Sequence, residues 1–307
     1  MSQGLDIFFW TDDNGQKHVG FGKAHNLSPY NVNYALRTRS DNSIKHNVVY
    51  HHGQAKLDKN RYRMHNQIIR DYFENKTPYK KGEKKLVQFT GGGSASGKGT
   101  FVNDRDQYFS KNGDPVKIDS DELKMALMKL DKQSTDPSFY HEESTMLAKR
   151  IYEIALQNEY PVLFDGTASF YPGFMSDKVG LAKAMGYETE MRYMITDANT
   201  ALKSCLDRYA ATGRLVPATK VLSTHRGAQD AVPQLLKSKD IDNIKVYYRD
   251  SGNKITKIAE GGKGKSTIHD NKIYEKFLEP NAYNLDTGAM NNFTNQVAQI
   301  KARKKGN

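Results

Sequence analysis

The chain has 307 residues, of which 37% are hydrophobic, and its formal net charge is +11. This length and apolar content allow one large domain, or a medium-sized domain with an appendage, and exclude a chain too polar to form a core. The single cysteine, Cys205, excludes an intrachain disulfide, and no apolar run reaches the length of a membrane-spanning helix.

The cysteine usage is typical of the reducing cytoplasm, and the short apolar patch at residues 7–10 lacks the cationic lead-in of a signal peptide. We therefore expect a cytoplasmic protein with no membrane partner. The excess of Lys and Arg favours polyanionic partners, either nucleic acid or phosphorylated small molecules.

Residues 1–57 are rich in Tyr, Asn, His and Ser and contain short strand-like pieces, which predict a small irregular or β-containing N-terminal appendage. Apolar residues at helical spacing predict a helix over residues 58–73, and a basic linker with Pro78 and Gly82 follows. We divide the chain into the appendage (1–57), the helix and linker (58–83), a core (84–285), and a C-terminal helix with a basic tail (286–307).

A glycine-rich run follows the apolar strand predicted at residues 86–89. Its spacing, Gly92, four residues, then Gly97-Lys98, matches a phosphate-binding loop, whose backbone N–H groups and helix N-terminus hold an anion. The alternative is a glycine-rich loop that only forms a turn. The predicted nucleotide-binding residues are Gly92, Gly93, Ser94, Ala95, Ser96, Gly97, Lys98, Gly99 and Thr100.

Strands and helices alternate after this loop. Predicted strands at residues 115–118, 160–164, 190–195 and 244–248 are separated by helical patterns. We predict an α/β fold of the P-loop kinase type, a doubly wound and mainly parallel sheet with helices on both faces. Ligands of such sheets bind at the carboxyl ends of the strands.

Carboxylates follow two of these strands. Asp119 and Asp121 lie just past residue 118, where one carboxylate could accept the proton of an attacking hydroxyl or Asp121 could cap the next helix. Asp165 ends another strand, where it could hold Mg²⁺ or stabilise a turn. Thr100 is the second candidate Mg²⁺ ligand, because Gly99 occupies the position at which this motif usually has a hydroxyl residue.

Two arginines, Arg208 and Arg214, bracket a predicted helix end at Gly213. Arginines on such loops can neutralise charge on a transferring phosphoryl group, although a lone arginine is more often solvated or salt-bridged. Glu142 and Glu143 lie on a long predicted helix, either on its wet face or in contact with a substrate.

Together these segments resemble the zeta-toxin family of P-loop kinases over roughly residues 58–280. Besides the loop ending at Lys98, the resemblance is carried by Ile118-Asp119-Ser120-Asp121, Phe164-Asp165-Gly166-Thr167, Gly186-Tyr187-Glu188-Thr189, Arg208-Tyr209 and Gly213-Arg214-Leu215-Val216-Pro217. The resemblance implies ATP- and Mg²⁺-dependent phosphorylation of a small-molecule hydroxyl, best known for UDP-N-acetylglucosamine, and an antitoxin protein as a candidate partner.

By match of motif, Lys98 would bind phosphates, Asp121 would be the base, Arg208 and Arg214 would stabilise the transferring group, and Thr167 would lie near the sugar. Asp119, Glu142 and Glu143 are the other candidate substrate residues. The chain departs from the family at Gly99 and at Lys149, which stands where the toxins carry a substrate-binding Glu. The alternatives are a nucleic-acid kinase, a nucleic-acid-dependent ATPase, or a nucleotide-binding interaction protein.

Overall fold

A computed structural model describes residues 6–11, 17–22, 32, 36, 41–51, 54–100, 114–213 and 215–305. The chain divides into two compact units. Unit 1 comprises Met1–Lys85 and Gln107–Phe164, and unit 2 comprises Leu86–Asp106 and Asp165–Asn307. The phosphate-loop segment belongs to unit 2. Our division at residues 57/58, 83/84 and 285/286 follows composition and motifs, and it stays a prediction.

The secondary-structure elements of the described residues alternate between strand and helix through most of the chain. In order they are β1 (Asp6–Thr11), β2 (Lys17–Gly22), α1 (Ser43–His46), β3 (Val48–His51), β4 (Gln54–Leu57), α2 (Lys59–Phe73), β5 (Leu86–Gly91), β6 (Val116–Asp119), α3 (Ser120–Asp131), a 3₁₀ turn (Pro137–Tyr140), α4 (His141–Gln157), β7 (Val162–Asp165), α5 (Tyr171–Phe174), a π-helical turn (Met175–Val179), α6 (Gly180–Ala184), β8 (Glu188–Thr196), α7 (Ala198–Thr212), α8 (Ala218–Lys237), β9 (Asn243–Arg249), β10 (Ile255–Gly262), β11 (Lys265–Ile268), α9 (Asn271–Leu278) and α10 (Thr287–Lys305).

Unit 2 is built on a mixed sheet with the strand order β11-β10-β9-β8-β5. Strand β8 runs parallel to both β5 and β9, and β10 pairs antiparallel with β9 and β11. All six residues of β5 are buried, as expected for a central strand with covered faces. Helices α7 and α10 share an apolar cluster that includes Cys205, Tyr209 and Phe293.

Unit 1 combines two antiparallel hairpins, β1–β2 and β3–β4, with α1 to α4 and the neighbouring strands β6 and β7. Helix α2 begins where Asp58 accepts the backbone N–H groups of Asn60 and Arg61, so its start follows from an N-cap visible in the sequence. Val32, Ile44 and Leu57 form a small apolar cluster. The hairpins confirm that the N-terminal part of the chain contains β-structure, and its separation as an appendage stays a prediction.

The predicted fold class is confirmed: the chain is a mixed α/β protein with a mostly parallel central sheet flanked by helices. Strand β11 and helix α9 were not predicted from the sequence, and the helical segment between β7 and β8 is divided into α5 and α6 by a π-helical turn. No helix in the described part of the chain is long and apolar enough to cross a membrane.

Candidate active site

The phosphate loop leaves the carboxyl end of β5 and becomes helical again at Gly99 and Thr100. Gly92 and Gly97 have φ angles of +133° and +103°, which L side chains rarely adopt. A Cβ atom on Gly92 would lie 2.2 Å from the backbone oxygen of Met194. The spacing of these glycines therefore reflects backbone conformation and close packing against β8.

Lys98 lies over this loop. Its Nζ donates to the backbone oxygens of Gly92 and Gly93 at 3.0 and 3.3 Å. The ammonium is thus held on the loop itself, within reach of an anion bound there. Gly99 is exposed, and a Cβ atom added to it would meet nothing within 4 Å. Packing therefore does not require a glycine at position 99.

The segment that follows β7 is bonded to the phosphate loop at its base. Thr90, the penultimate residue of β5, donates its hydroxyl to the Asp165 carboxylate, and the Gly92 N–H donates to the Thr167 carbonyl at 2.9 Å. The Thr167 and Ser169 hydroxyls lie 3.0 Å apart. The structure therefore brings Asp165 and Thr167 to the phosphate loop. A half-buried carboxylate beside hydroxyl groups supplies the oxygen donors that suit Mg²⁺.

Helix α8 supports the loop from another side, which the sequence analysis did not foresee. The Ser94 N–H donates to the Thr224 hydroxyl at 2.9 Å, and His225 Nε2 donates to the Ser94 carbonyl at 3.0 Å. The His225 ring would lie 2.4 Å from a Cβ atom on Gly93, so the glycine is needed for this contact. Burial, together with the nearby charges of Lys98 and Arg249, lowers the pKa of His225 to about 4, and the ring is neutral at pH 7.

Arg208 lies on α7, whose end at Gly213 has the left-handed conformation expected of a C-cap glycine. Its side chain is half-buried, and the buried Nε has no hydrogen-bond partner within the described residues. A half-buried guanidinium with an unsatisfied N–H group is suited to bind an anionic ligand. Arg214 lies outside the described residues.

The predicted base and its neighbour belong to unit 1. Asp119 ends β6 and caps α3, because its Oδ1 accepts the backbone N–H of Asp121 at 2.7 Å. The cap is therefore Asp119, whereas we had considered Asp121 for that role. Asp121 lies in the first turn of α3 with 43% of its side chain exposed, and Lys124 Nζ donates to its Oδ1 at 2.9 Å.

Glu142 and Glu143 are buried, with 7% and 0% exposure, which corrects the expectation of a wet helix face. Both oxygens of Glu143 accept from Arg61, at 2.5 and 2.6 Å, and His65 Nε2 donates to Oε1 at 2.6 Å. Arg61 also pairs with Asp131 at 2.5 Å. A carboxylate occupied and enclosed in this way is a structural ion-pair centre, so the substrate role considered for Glu143 is not supported.

Burial by itself would raise the pKa of Glu143, but the hydrogen bonds from His65 and Arg61 outweigh it and lower the pKa to about 2. Burial likewise lowers the pKa of Arg61, and its bonds to Glu143 and Asp131 reverse the effect and raise it. His65 is fully buried beside Glu143.

Comparisons with known proteins agree with this architecture. The family model described as zeta toxin matches residues 69–276. No curated protein sequence matches the chain.

Solved structures with a similar fold include the following three. The native AvrRxo1-ORF1:ORF2 complex is 16% identical, with a TM-score of 0.64 over 86% of this chain and 93% of that chain. The AvrRxo1-ORF1:ORF2 structure with ATP is 15% identical, with a TM-score of 0.63 over 81% and 84%. The PezAT toxin–antitoxin system of Streptococcus pneumoniae is 15% identical, with a TM-score of 0.55 over 81% and 95%.

The family match covers more than half of the chain and includes the phosphate loop, the two strand-end aspartates and Arg208. This chain therefore belongs to the zeta toxin family and has the P-loop kinase-like fold.

Proposed function

We propose that this protein is an ATP-dependent phosphotransferase that moves the γ-phosphoryl group to a hydroxyl of a small molecule. The observation that carries the proposal is the braced phosphate loop, with Lys98 on its carbonyls and Asp165 and Thr167 bonded to its base. Membership of the zeta toxin family supports it, and so does the fold shared with a protein whose structure was determined with ATP.

In this mechanism the loop and Lys98 hold the β- and γ-phosphates, and Asp121 accepts the proton of the attacking hydroxyl. Arg208 and Arg214 balance the charge that develops on the transferring group, which is worth on the order of 10³–10⁵ in rate for arginines of this kind. Asp165 and Thr100 are the residues that would hold Mg²⁺. When bound, Mg²⁺ would offset the negative charge of the phosphates.

The acceptor we propose to test first is a nucleotide sugar such as UDP-N-acetylglucosamine. The adjacent hydroxyls of Thr167 and Ser169 beside the phosphate loop support a polyhydroxylated acceptor. Because Glu143 is enclosed and Lys149 is exposed, the sugar contacts would differ from the family pattern. Incubating the protein with ATP and a panel of hydroxyl-bearing metabolites, and reading the gain of one phosphoryl group by mass spectrometry, would identify the acceptor.

The catalytic assignment is tested with Lys98→Ala and Asp121→Asn. Each should lower ADP production by about 10²-fold or more, because phosphate binding and proton acceptance are lost separately. Glu122→Gln is the matched control, since Glu122 is an exposed carboxylate next to Asp121 and pairs with Lys117 at 2.6 Å. Turnover at the wild-type rate in Asp121→Asn would remove the assigned base.

An antitoxin is the protein partner we propose. The PezAT structure is that of a toxin–antitoxin system, and the net charge of +11 favours an acidic binding partner. Expression of the wild-type chain should slow bacterial growth, and Lys98→Ala should not. Equal growth with both would argue against a toxin that depends on phosphoryl transfer.

A further inference from the structure

A second arginine lies directly beneath the phosphate loop, at the carboxyl end of β9. Arg249 has 7% exposure, and its hydrogen-bond partners in the described part of the chain are neutral. Nε donates to the Ser96 carbonyl at 2.8 Å, and Nη2 donates to the Ala95 carbonyl at 3.0 Å and to the Ser204 hydroxyl at 2.9 Å. Nη1 donates to Asn253 Oδ1 at 2.7 Å.

These bonds fix the orientation of two consecutive peptide groups of the loop. The C=O and N–H of a trans peptide point in opposite directions, so carbonyls held by Arg249 direct the Ser96 and Gly97 N–H groups to the other side. The Ser96 N–H accordingly reaches the Gly93 carbonyl at 3.2 Å and curls the loop. Ala95 is held at a φ of +61°, a strained conformation for a residue with a side chain.

Arg249 also explains why Gly97 must lack a side chain. A Cβ atom at that position would lie 2.7 Å from Arg249 Nε, in addition to the strain of its positive φ. The guanidinium is therefore packed against the loop as closely as the backbone allows. Ser204, which it also contacts, lies one turn before Arg208 on the same face of α7, so a single guanidinium links the loop to the helix that carries the candidate catalytic arginine.

Arg249 places a positive charge behind the loop. Its hydrogen-bond partners among the described residues are neutral, and the neighbouring Asp250 carboxylate offsets the charge only through space. Burial lowers the pKa of Arg249 and the nearby Asp250 carboxylate opposes this effect, yet an arginine keeps its charge at any physiological pH. The field of this charge extends to the loop, because it contributes, with Lys98, to the lowered pKa of His225. In a buried, low-dielectric setting such a charge acts more strongly on a nearby anion than it would in water.

We propose that Arg249 is a positioning residue of the triphosphate site, which orients the peptide groups of residues 95–97 and adds positive charge from behind the phosphate loop. This inference rests on the proposed function, because it assumes that the loop binds ATP. It predicts that the contribution of Arg249 to binding affinity increases with the number of phosphate charges on the nucleotide. A residue that merely stabilised the fold would not change the affinity of the folded protein.

The test compares the binding of ATP, ADP and AMP to Arg249→Gln and Arg249→Lys by titration calorimetry. Arg249→Gln should weaken ATP binding by about 30-fold or more, ADP binding less and AMP binding least. Arg249→Lys keeps the charge but not the fork of donors, so its loss should be intermediate. The matched control is Arg192→Gln, a buried arginine of β8 that pairs with Glu190 at 3.3 Å, and its nucleotide affinities should stay at wild-type values.

Each possible result of these titrations supports or overturns the proposal. Unchanged ATP affinity in Arg249→Gln, or an equal loss for all three nucleotides, would overturn the proposal. Equal losses of ATP affinity in Arg249→Lys and Arg249→Gln would overturn the part of the proposal that assigns a role to the positive charge. If Arg249→Gln does not fold, the ratio of ATP to AMP affinity in Arg249→Lys decides, and an unchanged ratio counts against the proposal. A wild-type protein without measurable ATP affinity would overturn this inference together with the proposed function.

Discussion

The buried ion-pair centre at Glu143 is the feature of unit 1 whose removal should be most costly. We consider Glu143→Gln, which preserves the size of the side chain and removes its charge. Arg61 and His65 would then remain buried, but they would lose the carboxylate that both contact. Because no cavity is created, the loss in the free energy of unfolding reports the charge interaction itself.

The magnitude follows from the pKa. Lowering the pKa of Glu143 from 4.5 to about 2 corresponds to roughly 3 kcal/mol in favour of the charged form in the folded protein. Breaking one side of a buried ion pair typically costs about 3–5 kcal/mol, which agrees with this value. Against a typical total stability of about 5–15 kcal/mol, Glu143→Gln should therefore be severely destabilised.

The assay is urea unfolding at pH 7 followed by far-UV circular dichroism, with Lys149→Ala, an exposed residue of α4, as the control. The control should lie within about 0.5 kcal/mol of the wild type. A Glu143→Gln variant equally close to the wild type would refute the ion-pair argument. If it also lost phosphoryl transfer, Glu143 would be a substrate contact after all.

The pH dependence provides a second measure of the same group. A carboxyl group whose pKa is lowered on folding stabilises the protein above its unfolded pKa, and that stabilisation is lost as the pH falls through the folded value. For Glu143 the loss should occur between about pH 4.5 and pH 2. The difference in unfolding free energy between the wild type and Glu143→Gln should shrink across that range.

Two further predictions concern the phosphate loop. Because the pKa of His225 falls from 6.5 to about 4 on folding, the unfolded chain binds a proton first, and stability should decrease as the pH falls from about 6.5 to 4. His225→Asn should flatten that slope in urea unfolding series, and an identical slope would show that another group titrates. Gly99→Ser should fold normally, since its Cβ has open space, and should leave the Mg²⁺ concentration for half-maximal ADP production unchanged if Thr100 is the metal ligand. Thr100→Val should raise that concentration about tenfold, and the reverse pattern would exclude Thr100.

Much of the fold could be predicted from local patterns. The apolar run before the glycines corresponds to β5, and the Asp58 cap and apolar spacing correspond to α2. The hairpin between β9 and β10 follows from the turn residues at 250–253. These features depend on neighbouring residues, whose backbone preferences and periodicity are visible in the sequence.

The buried polar residues could not be read in this way. Charges on α4 suggested a solvated face, but Glu143 is buried because Arg61, 82 residues earlier, lies against it. His225 and Arg249 gave no local signal, and their loop partners are 131 and 153 residues away. Burying a charged or polar group is unfavourable unless a partner is present, and no local pattern shows which distant residue supplies that partner.

Local patterns were enough to predict the alternation of strands and helices, the phosphate loop and the family, because glycine and lysine at fixed spacing specify a local backbone shape and a charge. The side chains that support that loop and the acidic residues that are enclosed became visible only in the folded chain. Backbone conformation is largely a local property, whereas the free energy of a buried charge depends on the groups that long-range folding brings beside it.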